Sequence, residues 1–145
     1  MKRQIWAGIV ATAGITLALS GCEKGLTPIE GSRYAPGTRA APLGDSVDGL
    51  IVGHRLMQAG KYELALKSYY RAAGRQGVNV DVLSAIGSAN LRLGRLGQAE
   101  QMLRCALADD PKFVPALNNL GVVLIETGRV GEAERVFRTA FWLDS

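Results

Sequence analysis

At 145 residues, 48% hydrophobic and 21% charged, the chain is long enough for one small domain and an appendage. Its net charge of +4 is mild, and with Lys2 and Arg3 supplying part of it at the very start, charge gives no ground for a nucleic-acid partner. One histidine and two cysteines leave too few groups to assemble a metal site of several ligands or a cysteine–histidine nucleophile pair, so catalytic and cofactor readings fall away first.

In chain order, Met1 to Gln4 carries two positive charges, Ile5 to Leu19 is apolar or small, and Leu19-Ser20-Gly21-Cys22 closes the run. A charged start, a short apolar core and small residues before a cut site describe a secretory signal peptide over 1–21. The run is short of the roughly 20 apolar residues that a membrane span needs, although an uncleaved anchor helix is the competing reading. Leu19-Ser20-Gly21-Cys22 resembles a bacterial lipobox, which implies that Cys22 is acylated and becomes the first mature residue. Two acyl chains give stable anchoring. Residue 23 is Glu, not the Asp that by this resemblance retains lipoproteins in the inner membrane. The expected address is therefore the inner leaflet of the outer membrane, facing the periplasm. Residues 22–45 hold Pro28, Pro36 and Pro42 with several glycines and no sustained apolar period, which predicts a flexible tether reaching roughly 25 to 30 Å as a random coil.

From residue 46 onward the chain is a 34-residue unit repeated. Leu83, Ile86, Gly87, Gly94, Ala99, Leu103 and Ala106 recur as Leu117, Leu120, Gly121, Gly128, Ala133, Phe137 and Ala140. Stepping back by the same interval gives Gly53, Gly60, Ala65, Tyr69 and Ala72. The copies are thus 46–79, 80–113 and 114–145. Apolar spacing within each predicts two helices: 47–59 and 62–74, 80–93 and 96–108, 114–127 and 130–143. Gly87 and Ala99 are small so that antiparallel helices can approach closely. Gly94 ends the first helix of its copy, and Pro111 breaks the second. Asp109 and Asp110 read as turn residues leading into that proline rather than as a metal-binding pair.

The series Leu83, Ile86, Gly87, Gly94, Ala99, Leu103, Ala106 and Pro111 resembles the tetratricopeptide repeat consensus. The first copy departs from it, with Gly49 where a large apolar residue is usual and Gly77 where proline is usual. The resemblance implies an all-α fold: three tandem helix-turn-helix hairpins in a short right-handed solenoid, following the signal peptide and linker. It also implies a concave groove lined by the first helix of each copy, and protein or peptide binding rather than catalysis. Carried onto this sequence, the groove residues are Leu50, His54, Met57, Ser84, Ser88, Asn118, Asn119 and Val122. Asn118 and Asn119 form its expected hydrogen-bonding pair for an extended peptide backbone. The carboxylate-gripping set of chaperone-binding members is missing, with Leu50, Ala85 and Pro115 at places where it would sit.

The final helix carries Phe137, Phe141, Trp142 and Leu143, and the sequence given shows no capping helix after them, whereas solenoids normally need a polar terminal cap. An aromatic cluster left open there implies a partner, self-association or a chain cut short, with Phe137, Phe141 and Trp142 as binding residues; the duller reading folds Trp142 back over its own repeat. Cys105 falls on the second helix at a usually outward position, where a small semi-buried side chain is expected. Lipobox, tether and repeats together resemble the small repeat lipoproteins that help secretins and pilus machines assemble, such as the tight-adherence (Flp) pilus protein TadD and the type IV pilus pilotins. An adaptor for peptidoglycan enzymes or for outer-membrane protein assembly is the alternative, and an envelope redox protein or enzyme the minor one. No cofactor or metal is implied.

Overall fold

The computed structural model describes residues 48–144, which form six helices: α1 (Gly49–Gln58), α2 (Tyr62–Gln76), α3 (Val80–Arg92), α4 (Leu96–Asp109), α5 (Val114–Glu126) and α6 (Val130–Leu143). The bounds follow the repeat to within two residues. The expected leader, the acylated Cys22 and the tether lie outside the described residues. Among those described there is no strand, and no helix is long and apolar enough to cross a membrane.

Local chemistry starts and stops these helices. The Asp48 carboxylate accepts from the Leu50 amide at 2.9 Å and opens α1, and Asn79 Oδ1 accepts from the Val82 amide at 2.9 Å and opens α3. Gly60, Gly94 and Gly128, spaced by the repeat, stand in the turns between paired helices with φ of 70°, 71° and 77°. Only glycine takes that backbone without strain, so the hairpin turn is written into the sequence three times. Asp110 shapes the connection after α4 by accepting from the Lys112 amide at 2.9 Å, as its reading as a turn residue predicts.

Each hairpin then closes on one glycine and one large side chain sixteen residues later. A Cβ built on Gly53 would lie 2.2 Å from Tyr69 Cε1, one on Gly87 2.7 Å from Leu103 Cγ, and one on Gly121 2.4 Å from Phe137 Cζ. The large residue fills the hollow that the missing side chain leaves, and the helices pack face to face. The Tyr69 ring is 1% exposed in that hollow, and burial pushes its hydroxyl pKa up to about 12.

Gly49, a departure from the consensus, has its own reason. A Cβ there would meet the Ser68 carbonyl oxygen at 2.8 Å and the Ala72 Cβ at 3.0 Å, so a large apolar residue has no room where α1 crosses α2.

The hairpins stack in chain order, α2 on α3 and α4 on α5, with α1, α3 and α5 in a row along one side. The continuous core includes Tyr69, Val82, Ile86, Ala89, Met102, Leu103, Ala116, Leu120, Val123 and Leu124. Among the described residues three buried side chains are polar, Ser68, Ser84 and Asn90, and Asn90 is the most enclosed. Asn90 is 2% exposed; its Nδ2 donates to the Ile86 carbonyl at 3.0 Å, and its Oδ1 has no partner. The residues one repeat away on either side are Leu56 and Leu124.

Candidate protein-binding groove

A recess of about 910 Å3 does not run down the middle of the first-helix row but along its edge, at the level of the hairpin turns. Its lining is a ladder of equivalent positions. Gln58, Arg92 and Glu126 are the same repeat position three times, and Met57 with Leu91, Ser88 with Val122, Gly60 with Gly94 and Tyr62 with Leu96 are each the same position twice; Asn119 completes the wall. The cavity therefore crosses all three hairpins. Its floor alternates thioether, isobutyl and isopropyl groups with a hydroxyl and an amide, a surface that can hold apolar side chains and hydrogen-bond the backbone between them.

One wall is fixed in place. Arg92 Nη2 donates to the Tyr62 hydroxyl at 2.7 Å while its guanidinium carbon sits 5.1 Å from the centre of the Tyr62 ring. These contacts join the first hairpin to the second at the rim and hold a cation beside the recess.

Of the expected groove residues, the structure brings Met57, Ser88, Asn119 and Val122 together. The others are dispersed. Ser84 is 5% exposed and so offers no open hydroxyl. Leu50 is partly buried against the core. His54 is exposed, with its ring edge-on to Tyr69 at 5.5 Å.

Asn118 and Asn119 line different recesses. Successive helical residues are turned by about 100°, so Asn119 enters the long recess while Asn118 enters a separate one at the end of the stack.

Sequence reasoning missed Tyr62, Gln58, Arg92, Leu96 and Glu126. The signal was available: Tyr62, Leu96 and Val130 are large residues at the first position of every second helix.

At the terminal helix, Phe141 and Trp142 are 67% and 71% exposed and meet edge-to-face at 5.8 Å. Phe137 is not open in the same way, being half-buried against Gly121. Cys105 is 4% exposed, more enclosed than the semi-buried side chain expected there. No group of three or more potential metal ligands occurs among the described residues.

Ion pairs among the second helices and the turns before them cross-link the repeats. Arg104 donates to Glu100 at 2.8 Å and to Glu132 at 2.6 Å, and Arg129 donates to Glu100 at 2.7 Å and to Glu132 at 2.6 Å. Arg95 reaches Glu63 at 2.6 Å across the preceding seam. Partial burial works against the Glu100 carboxylate, but hydrogen bonds from Arg129 and Arg104 outweigh it and hold its pKa below the usual range. Hydrogen bonds from Arg104 and Arg129 depress Glu132 in the same way.

Two tetratricopeptide repeat family models match, over residues 53–112 and 90–140, and together they span more than half of the chain. No curated protein matches the sequence. Among solved structures, the chain is similar to the second tetratricopeptide domain of Spaghetti (RPAP3) bound to the HSP90 peptide SRMEEVD, at 25% identity and a TM-score of 0.61, covering 66% of this chain and 88% of that one. It is similar to the same domain of human RPAP3 in complex with the HSP70 peptide SGPTIEEVD, at 25% identity and a TM-score of 0.60, covering 66% and 80%. A mutant form of MamA aligns at 26% identity and a TM-score of 0.59, covering 70% and 77%. With six helices, three glycine turns and both models agreeing on the repeat, the chain belongs to the tetratricopeptide repeat family.

Proposed function

We propose that this chain is a non-catalytic, lipid-anchored scaffold that holds an extended segment of another protein in the recess along its hairpin turns. One observation carries the reading. The recess repeats the same wall positions across all three hairpins, so a strand-like peptide crossing it meets apolar sites at Met57, Leu91 and Val122, with Ser88 and Asn119 placed for its backbone. The peptides bound by the RPAP3 domains support an occupant of this kind. The lipobox and tether supply the remainder: acyl chains on Cys22 hold the repeats at the inner leaflet of the outer membrane, and the captured protein is a subunit of a pilus or secretin machine in transit.

Val122→Asp tests the recess. Val122 is 40% exposed, so the helices keep their circular dichroism while capture of the partner from envelope extract falls at least tenfold, about 1.4 kcal/mol. Undiminished capture would move the binding site elsewhere. The anchor is tested by intact mass. The sequence has two cysteines, and a thioether-linked lipid on Cys22 excludes a disulfide between Cys22 and Cys105. A mature chain that begins at Cys22 and carries acyl mass is the expected result, and an unlipidated, oxidised chain overturns the anchor.

A further inference from the structure

The wall of the long recess carries charge in a fixed order. Gln58, Arg92 and Glu126 hold one repeat position on the first, second and third hairpins, and all three are exposed. Along the stack that wall is therefore neutral, then positive, then negative.

The cation and the anion are one repeat apart and do not pair with each other. Among the described residues Arg92 meets no carboxylate and Glu126 no cation. Elsewhere on the surface, arginines and glutamates of neighbouring hairpins do close on one another, as Arg104 does on Glu132 and Arg129 on Glu100. Arg92 is instead held by the hydroxyl and ring of Tyr62. Tyr62 is neutral, so it fixes the guanidinium without cancelling its charge, and a guanidinium has five N–H donors to offer.

Spacing converts this order into a pattern in the occupant. The first helices α3 and α5 touch, and helices in contact stand about 8 to 10 Å apart. An extended chain advances about 3.1 to 3.4 Å per residue, so one repeat of the wall corresponds to about three residues of the segment crossing it.

We infer that the recess selects a segment of another protein with an acidic side chain set against Arg92 and, three residues away, a basic one set against Glu126. This rests on the recess holding a peptide, and it states which peptides the recess takes. The apolar sites at Met57, Leu91 and Val122 accept many segments. The unlike charges fix direction and register, because a reversed segment, or one bearing two like charges, sets like against like. The chain's own Thr27, Glu30 and Arg33 have the same order and spacing. Thr27 is only five residues from Cys22, however, and an occupant acylated there would draw the recess onto the lipid and away from a periplasmic subunit.

The test titrates fluorescein-labelled heptapeptides against the full chain by anisotropy. Leucine stands at the first, fourth and seventh places; the second and fifth are acid and base, base and acid, two acids, two bases or two glutamines. One mixed order is expected to bind about threefold to tenfold tighter than the glutamine probe, and the reversed order and the like-charged probes no tighter than it. Glu126→Lys should transfer the preference to the two-acid probe and Arg92→Glu to the two-base probe, with helix content unchanged because both side chains are exposed. A preference that ignores these exchanges overturns the charge pattern. If Val122→Asp weakens the glutamine probe while the exchanges do nothing, the recess stands and the pattern falls. A glutamine probe indifferent to Val122→Asp, or no binding by any probe, overturns both. Exchanging Glu30→Arg together with Arg33→Glu should leave probe affinity as it was; a gain would make that segment the occupant and overturn the partner.

Discussion

The middle hairpin, α3 with α4, and the last, α5 with α6, share one plan and differ in their neighbours. In the first of these Leu103 fills the hollow at Gly87 and is 0% exposed; in the second Phe137 fills the hollow at Gly121 and is only half-buried. The larger ring is thus the less enclosed group. The difference teaches that burial in a stack depends on position in the array as much as on residue type, since each unit borrows cover from the next.

The sharpest way to break that comparison is truncation. Leu103→Ala should cost about 3 kcal/mol in denaturant unfolding, within the usual range for a closed core site. Phe137→Ala should cost less, about 1 to 2 kcal/mol, because a partly exposed ring has less transfer energy to lose and the open side can relax. Equal costs would show that the last hairpin is as enclosed as the middle one.

A smaller effect separates the glycines. Gly87→Ala forces Leu103 to move in a closed site, which costs about 1 to 3 kcal/mol against a helix gain of about 0.5 to 1. Gly121→Ala meets a ring with room to swing, so its net change should be near zero; the two melting curves decide.

The smallest effect is electrostatic. The Glu100 and Glu132 pKa values are depressed in the fold, so their contribution is complete above the ordinary carboxylate value near ~4.3 and is lost as pH falls below it through the folded values. Wild type should therefore lose more stability between pH 5 and 3 than Arg104→Ala does, to be read from parallel acid titrations.

The repeat made most of the architecture legible. A 34-residue interval fixes which glycines turn, which residues face each other and where helices stop, because those depend on neighbours within one hairpin. What the interval hides is cover from adjacent hairpins. Ser84 and Asn118 occupy the same repeat position, yet one is buried and the other lines an open recess. Cys105 is buried, whereas Arg71 and Thr139 at the same repeat position are exposed, a difference the interval alone does not carry. Gly49 shows the same limit from another direction, since its constraint is set by the Ser68 carbonyl on a different helix. The long recess was half legible for a related reason: Met57, Ser88 and Val122 come from the first helices that define such grooves, whereas Tyr62 and Leu96 enter from the second.

The orphaned carbonyl of Asn90 has a consequence for how the array melts. In a linear row of three units the centre touches two neighbours and each end touches one, so a uniformly apolar centre would outlast the ends and let them fray by degrees. A buried acceptor without a donor lowers the intrinsic stability of that central unit by about 1 to 3 kcal/mol relative to a satisfied one. The result is a more even distribution of strength along the row, and so a chain that comes apart cooperatively rather than piecemeal.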